Sequence, residues 1–397
     1  MTSRERMQIA LSGGKPDVVP TYLCYSSLYL NRHTTLEYFA EYLRRMGESN
    51  RYPIGAQEDI EIRRKVIKQT LDLFSGRVDY QFGFPSVREI ECEEMSRKYI
   101  DLAISYVDAE SVRIFDDGSG AKVEGITPHG NWNRGVKLNT MADVDRFFEP
   151  EPSVPSPTRN KPKEQEDPYF DLKESYRKAI ADSFRVGGFT TAFVSAIGAF
   201  SYQGAMVAIH DKPKVFGYFI ERATEERLQY IRSASYYVDG FWFDEYYTDV
   251  ISPEHYEEYV FRPNLRLAKA IRENGKLSMY YFCGDIMQKL DKALELAVDA
   301  IAFEESKKWF EVEIAEVKKR VGNQKALMGN IDGLHLLPKG NKEQIESEVK
   351  RQLAAAAKDG GFVMGAGSPI APDTPTENML VFLNATRKFG KYPLEWS

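Results

Sequence analysis

Cysteine and histidine are scarce in this chain: three cysteines (Cys24, Cys92 and Cys283) and five histidines are spread over 397 residues. So few thiols do not make a disulfide framework, and no two histidines have the His-x-x-x-His spacing of a helical metal site. The start at Met1 lacks a basic segment followed by an apolar core, so no secretory leader is expected and the cytoplasm is the expected compartment. An uninterrupted apolar run of roughly 18 to 20 residues, the length a membrane helix needs, is missing too, because Lys, Arg, Asp or Glu breaks each candidate. An excess of one charge is also absent. With a formal net charge of -6 and acids and bases interspersed, the chain lacks the electrostatic footprint of a nucleic-acid-binding protein.

What is present is apolar mass and a rhythm. At 43% hydrophobic residues the chain can bury a sizeable core. Between Gly240 and Asp373 a short apolar run repeatedly stops at an acid or other polar group and is followed by a helix-like stretch. The runs are 240–245 (GFWFDE), 277–285 (LSMYYFCGD), 300–305 (AIAFEE), 326–332 (ALMGNID) and 362–368 (FVMGAGS). Repeated strand-then-helix units build a parallel sheet, and closing it into a barrel brings the polar strand ends together at one mouth. The arrangement is that of an enzyme.

The first half is less regular. It offers a strand at 19–25, helical patterns at 35–46 and 60–74, and strand-like pieces near 78–83 and 122–126. Residues 149–167, rich in proline and charge, cannot supply a core face and read as a surface loop. The second half alone has too few strands for an eight-stranded barrel, so residues 1–397 are expected to form a single barrel domain. Beyond the loop come a helix at 168–181, a strand at 184–189 and helices at 200–209 and 213–237. Ser252, followed by Pro253 and Glu254, predicts a helix start, with its end near Asn274 and Gly275. Thr374 and Glu377 predict a second capped start with a capping box.

The strand ends hold the candidate chemistry. Asp244 and Glu245 are adjacent on a strand, so only one of them faces the barrel interior, and the same holds for Glu304 and Glu305. A carboxylate there can move a proton or orient a substrate. Asp332 ends the fourth run. Cys283 stands at a strand end, with Asp285 at the start of a helix whose dipole could favour the thiolate; nucleophile, metal ligand and inert thiol all remain open. Gly365 and Gly367 suit either a tight turn or an anion's approach to backbone amides. His335 and His129 read as loop residues. Tyr25, His129, Trp132, Tyr281, Asn330 and Ser368 are candidates to line a ligand site, and the tyrosine pairs 236–237, 246–247 and 280–281 read chiefly as packing.

At these same segments the chain resembles the uroporphyrinogen decarboxylase superfamily, which includes cobalamin-dependent methyltransferases. The resemblance is carried by residues 1–20 (MTSRERMQIALSGGKPDVVP), 252–259 (SPEHYEEY), 283–285 (CGD), 329–332 (GNID) and 360–378 (GGFVMGAGSPIAPDTPTEN). It implies an α/β fold, a distorted (β/α)8 TIM-like barrel with extra N-terminal helices and an active cleft at the C-terminal strand ends. In the decarboxylase branch the first strand carries an arginine motif that grips the porphyrinogen carboxylates. Here that stretch is 22–30 (YLCYSSLYL), without arginine, and Arg32 lies just beyond it.

The methyltransferase branch commonly holds zinc through His-x-Cys at one strand end and a second Cys in the last strand's loop. Those positions are Tyr281, Cys283 and Ser368 here. A zinc site recruiting Glu304 beside Cys283 would be an oxygen-rich variant. The function the resemblance implies is demethylation of a small methylated substrate, with the methyl group passed to a corrinoid on a separate protein. Two alternatives stay open: decarboxylation of uroporphyrinogen or a smaller carboxylate, and non-catalytic binding of a tetrapyrrole or corrinoid. Neither nucleic acid nor membrane is an expected partner, and homo-oligomerisation is left open.

Overall fold

The computed structural model describes residues 1–23, 138–149, 181–307, 309–371 and 374–394, and the backbone of three strands between 80 and 125. The chain opens with helix α1 (Ser3–Leu11), whose start is fixed by a capping box between Thr2 and Glu5. Strand β1 (Tyr80–Phe82) and a hairpin of β2 (Val112–Asp116) and β3 (Ala121–Gly125) precede helix α2 (Met141–Phe148). Then follow β4 (Phe184–Thr190), α3 (Ala192–Phe200), α4 (Tyr202–Asp211), α5 (Pro213–Ala234) and β5 (Gly240–Glu245). Helix α6 (Pro253–Tyr256) continues through a π-helical turn, Glu257–Phe261, into α7 (Arg262–Glu273). Strand β6 (Leu277–Phe282) leads to α8 (Leu290–Glu295), and β7 (Ala300–Phe303) to α9 (Ile314–Val321). Strand β8 (Ala326–Ile331) is followed by α10 (Leu336–Lys339) and α11 (Lys342–Ala356), and β9 (Phe362–Ala366) by α12 (Thr376–Phe389).

Strands β1, β4, β5, β6, β7, β8 and β9 form one seven-stranded sheet, and every pairing in it is parallel. An eighth segment joins at the other edge, where Thr21 bridges Met364 in parallel and Tyr22 N–H donates to the Met364 carbonyl at 2.9 Å. This is the α/β, TIM-like barrel expected from the strand-helix rhythm, and the five apolar runs are its last five strands.

The alternating pleat divides the core into two. Phe241, Phe243, Tyr280, Phe282, Ile301 and Phe303 face outward into the large core beneath the helices. Trp242, Met279, Tyr281, Ala300, Ala302, Met328 and Val363 face the lumen and pack with Tyr22. Met7, Ala10 and Leu11 of α1 join the lumenal cluster, so this helix plugs the end opposite the mouth. Arg4 anchors the plug, donating its guanidinium to Asp239 at 3.2 Å and its backbone N–H to the Asp182 carbonyl at 2.7 Å.

Several expectations need correction. Helix α3 leaves no periodic mark in the sequence, because AFVSAIGAF is apolar on almost every side and carries no amphipathic period. It ends at Ser201, whose φ of 67° turns the chain by 104° into α4. Thr374 does not cap α12; Pro375 holds that position without a side-chain hydrogen bond, so the capping box is not made. Ser252 does cap α6, accepting from His255 N–H at 3.2 Å, and Gly275 stops α7 at a φ of +68°. The helices expected at 35–46 and 60–74, that at 168–181 except its last residue, and all but the first residue of the 149–167 loop lie outside the described residues. No helix among the described residues is by itself long and apolar enough to cross a membrane.

Candidate active site

The sheet register lays one ring of side chains across the lumen. Asp244 pairs with Tyr281, Tyr281 with Ala302, Ala302 with Met328 and Met328 with Val363. Below Asp244 lies Trp242, whose ring centroid is 5.2 Å from that of Tyr281 and 5.6 Å from that of Tyr22. Tyr22, Trp242 and Tyr281 thus form an aromatic floor with the Asp244 carboxyl at its edge.

Of the first acidic pair, Asp244 is the one that faces inward. It accepts a hydrogen bond from the Trp242 indole, but burial dominates and pushes its carboxyl up to about 6. Glu245 points the other way and is fully buried. It accepts from Thr191 Oγ1 at 3.1 Å and from Asn264 Nδ2 at 2.7 Å, tying β5 to the residue that caps α3 and to α7. Burial lifts it to about 8 despite those bonds, so it is uncharged at neutral pH and structural in role. Its place among the catalytic candidates is withdrawn.

The second pair departs from the strand rule, because both acids converge on one cation. Strand β7 ends at Phe303, so Glu304 and Glu305 already lie in irregular backbone. Lys307 Nζ donates to Glu305 Oε1 at 2.7 Å and to Ser368 Oγ at 2.6 Å, and it lies 3.6 Å from Glu304 Oε1. Glu304 Oε2 accepts the Gly284 N–H at 2.9 Å, and its Oε1 accepts from Ser368 Oγ at 3.3 Å. Burial raises the Glu305 carboxyl while the Lys307 ammonium opposes it. Lys307 was missed from sequence. The signal was there: a lysine close behind an acid pair at a strand end.

The remaining candidates divide. Asn330 braces the cluster, donating from Nδ2 to the Glu304 carbonyl at 3.1 Å. Tyr281 donates its hydroxyl to the Gly367 carbonyl at 2.6 Å. Cys283 is half-buried against the lumenal cluster, and burial raises the hydroxyl of nearby Tyr246. After it comes only the three-residue turn Ile286–Gln288, capped by Asp285, so no long helix dipole bears on the thiol. Asp332 is committed to its own turn: Oδ1 accepts from Leu334 N–H at 2.9 Å and His335 N–H at 2.7 Å. Its Oδ2 lies 3.2 Å from His335 Nδ1, so both oxygens have partners within this turn. Tyr25, His129 and Trp132 lie outside the described residues.

The two glycines serve close packing. A Cβ on Gly365 would stand 1.9 Å from the Tyr22 ring, and one on Gly367 would stand 2.5 Å from Glu305 Oε2. The Gly367 amide presents no anion cradle, because its N–H donates to the Ile331 carbonyl at 2.9 Å.

Zinc does not fit this donor set. Tyr281 and Ser368 replace imidazole and thiolate, Glu304 and Ser368 face an ammonium, and among the described residues no three His, Cys, Asp or Glu side chains gather to hold a metal. Cys283 with Glu304 is thereby withdrawn as a metal pair. The positive charge at this strand end is Lys307.

Known proteins with the same architecture include a methyltransferase from Methanosarcina mazei, whose structure matches 98% of this chain and 99% of its own with a TM-score of 0.61 at 18% identity. That likeness carries the fold alone. In sequence, a uroporphyrinogen decarboxylase of Anaeromyxobacter dehalogenans is 25% identical over 288 residues, 70% of this chain and 75% of that protein. A methylated-thiol–coenzyme M methyltransferase of Methanosarcina mazei is 24% identical over 141 residues, 36% of this chain and 35% of that protein. Residues 136–389, from just before α2 to the end of α12, match the uroporphyrinogen decarboxylase (URO-D) family along more than half of the chain, and the protein belongs to that family.

Proposed function

We propose that this enzyme removes a methyl group from a small aromatic or amphipathic substrate and passes it to a corrinoid carried by a separate protein. The carrying observation is Asp244, a lumenal carboxyl raised to about 6 beside an aromatic floor of Tyr22, Trp242 and Tyr281. A methyl group leaves an oxygen, nitrogen or sulfur only if that atom is given a proton or a positive charge as the carbon bond breaks. A carboxyl that exchanges its proton near neutrality can supply it. The corrinoid, as co-substrate, takes the methyl group. The floor holds the substrate's flat face, and the Glu304, Glu305 and Lys307 cluster closes the rim.

The mouth's charge argues against uroporphyrinogen as substrate. A polyanion calls for several cations, whereas Lys307, the ammonium described at this rim, is already set between Glu304 and Glu305. One observation favours a second reading: a single ammonium suits a single carboxylate, as decarboxylation of a smaller acid would require. The listening point between the two is the product. The protein is mixed with reduced corrinoid and a panel of aryl methyl ethers, methylamines and methyl thioethers, and the corrinoid's visible spectrum is followed. Methylation of the corrinoid by one class supports the proposal; release of carbon dioxide from an aryl carboxylate, with the corrinoid unchanged, replaces it.

A further inference from the structure

Lys307 is not one more surface lysine. Its side chain is 14% exposed, between Glu304 at 16% and Glu305 at 5%. The backbone holds it firmly: Lys307 N–H donates to the Phe310 carbonyl at 2.9 Å, Phe310 N–H returns the bond at 3.3 Å, and Ser306 Oγ accepts from Val312 N–H at 2.9 Å. This clasp closes the loop after β7 and aims the side chain at Ser368, beyond β9.

An ammonium has three N–H donors. At Lys307 one goes to Glu305 and one to Ser368, and the remaining contact, with Glu304, is 3.6 Å, beyond hydrogen-bond length. Glu305 takes the Lys307 ammonium through Oε1 alone, its Oε2 being buried against Gly367. Glu304 is occupied by the Gly284 N–H and the Ser368 hydroxyl. A fixed, partly exposed ammonium with one donor to spare is what an anionic oxygen needs.

We propose that Lys307 is the substrate-oxygen anchor of the mouth: its remaining N–H binds an oxygen that carries negative charge on the ligand, a carboxylate or a phenolate. This deepens the methyl-transfer reading by naming its substrate class. A methyl group bound to an aryl oxygen leaves a phenolate that can accept the Lys307 N–H, whereas a protonated methylamine has no lone pair to accept it. In that step the carbon–oxygen bond breaks, its electron pair stays on the oxygen, where the Lys307 N–H supports the developing charge until the Asp244 proton neutralises it, and the methyl group goes to the corrinoid.

The test needs no turnover, so it stands apart from the methyl-transfer assay. 4-Nitrophenol, whose ionisation is visible by colour, is titrated with the purified protein across neutral pH, and benzoate, benzamide and benzylamine compete for the site. If Lys307 is the anchor, bound nitrophenol ionises at lower pH than free nitrophenol by about one unit, a tenfold preference for the phenolate. Lys307→Met removes the shift, Lys307→Arg keeps it, and binding weakens with salt. Displacement by benzoate but not benzamide identifies a resting carboxylate as a second source of the oxygen; failure of benzoate restricts the anchor to phenolate. The proposal is overturned if bound nitrophenol ionises at the same or a higher pH, if benzylamine is the better competitor, or if nothing binds at tens of millimolar. The sign of the shift in the unaltered protein decides the matter even if a variant fails to fold.

Discussion

The indole N–H of Trp242 donates to the carboxyl of Asp244, two residues along the same face of β5. The bond favours the ionised acid, and burial favours the neutral one and prevails, which is why the carboxyl titrates at about 6. A lumenal acid balanced in this way gives the pH behaviour of the reaction a definite sign.

If Asp244 supplies the proton, kcat/KM falls as pH rises through about 6, roughly tenfold per unit above it. Asp244→Asn removes this dependence and lowers the rate by about 100- to 10,000-fold. Trp242→Phe deletes the bond that stabilises the carboxylate, so the inflection moves to higher pH. A pH–rate profile of the three proteins on one methyl donor checks this; an inflection that stays put in Trp242→Phe would exclude the assignment.

Glu245 governs stability rather than turnover. Its folded-state value of about 8 stands against an ordinary 4.5, so across that interval the folded chain holds a proton that the unfolded chain releases. Its contribution is fully present below about 4.5 and is lost as pH rises toward 8, at about 1.4 kcal/mol per unit. Asp244, raised from 3.8 to about 6, adds in the same direction in its own interval. Glu245→Gln stays neutral, and Asn264 can turn its amide to meet it. Urea melts from pH 5 to 8 should show the variant's stability varying less steeply with pH, and a slope equal to that of the unaltered protein would count against a neutral buried Glu245.

Gly365 exists to make room for Tyr22. Its absent Cβ would lie 1.9 Å from the ring, and the same tyrosine donates its hydroxyl to the Ala366 carbonyl at 2.9 Å. Gly365→Ala should destabilise the fold by about 1–3 kcal/mol through overpacking. Adding Tyr22→Ala should then cost less than it does in the unaltered protein, because the two changes relieve one another. Additive losses in a double-mutant cycle of thermal melts would mean that the ring and the strand do not press together.

The barrel was legible because its signal is repetitive. Each of the runs that begin at Gly240, Leu277, Ala300, Ala326 and Phe362 is a strand, and alternation alone says that just one of Asp244 and Glu245 faces the lumen, leaving the choice of Asp244 to the structure. Where alternation ends, so does that legibility. Glu304 and Glu305 leave the strand before their side chains are set, so two neighbours that a pleat would separate meet at Lys307. Lys307 reaches Ser368 from sixty-one positions away, a contact fixed by barrel closure and by no local pattern. An acid at a strand end can serve either the mouth or its own turn, and at Asp332 the N–H groups of Leu334 and His335 bind Oδ1 within the turn, a pairing no strand pattern encodes.

The cation at the strand ends suggests a test of why zinc finds no seat here. The resemblance places the methyltransferase ligands at Tyr281, Cys283 and Ser368, and Ser368 Oγ is 2.6 Å from Lys307 Nζ. Tyr281→His with Ser368→Cys would restore the donor types, but an ammonium would still oppose a divalent ion at that point. The double variant is therefore expected to hold little zinc, and the triple variant with Lys307→Met about one zinc per chain, the filling of a tetrahedral site by three protein ligands and water. Elemental analysis after dialysis measures both. Equal zinc in the two would show that Lys307 does not stand in the metal's place, whereas zinc gained only with its loss would identify the lysine as the group that replaced it.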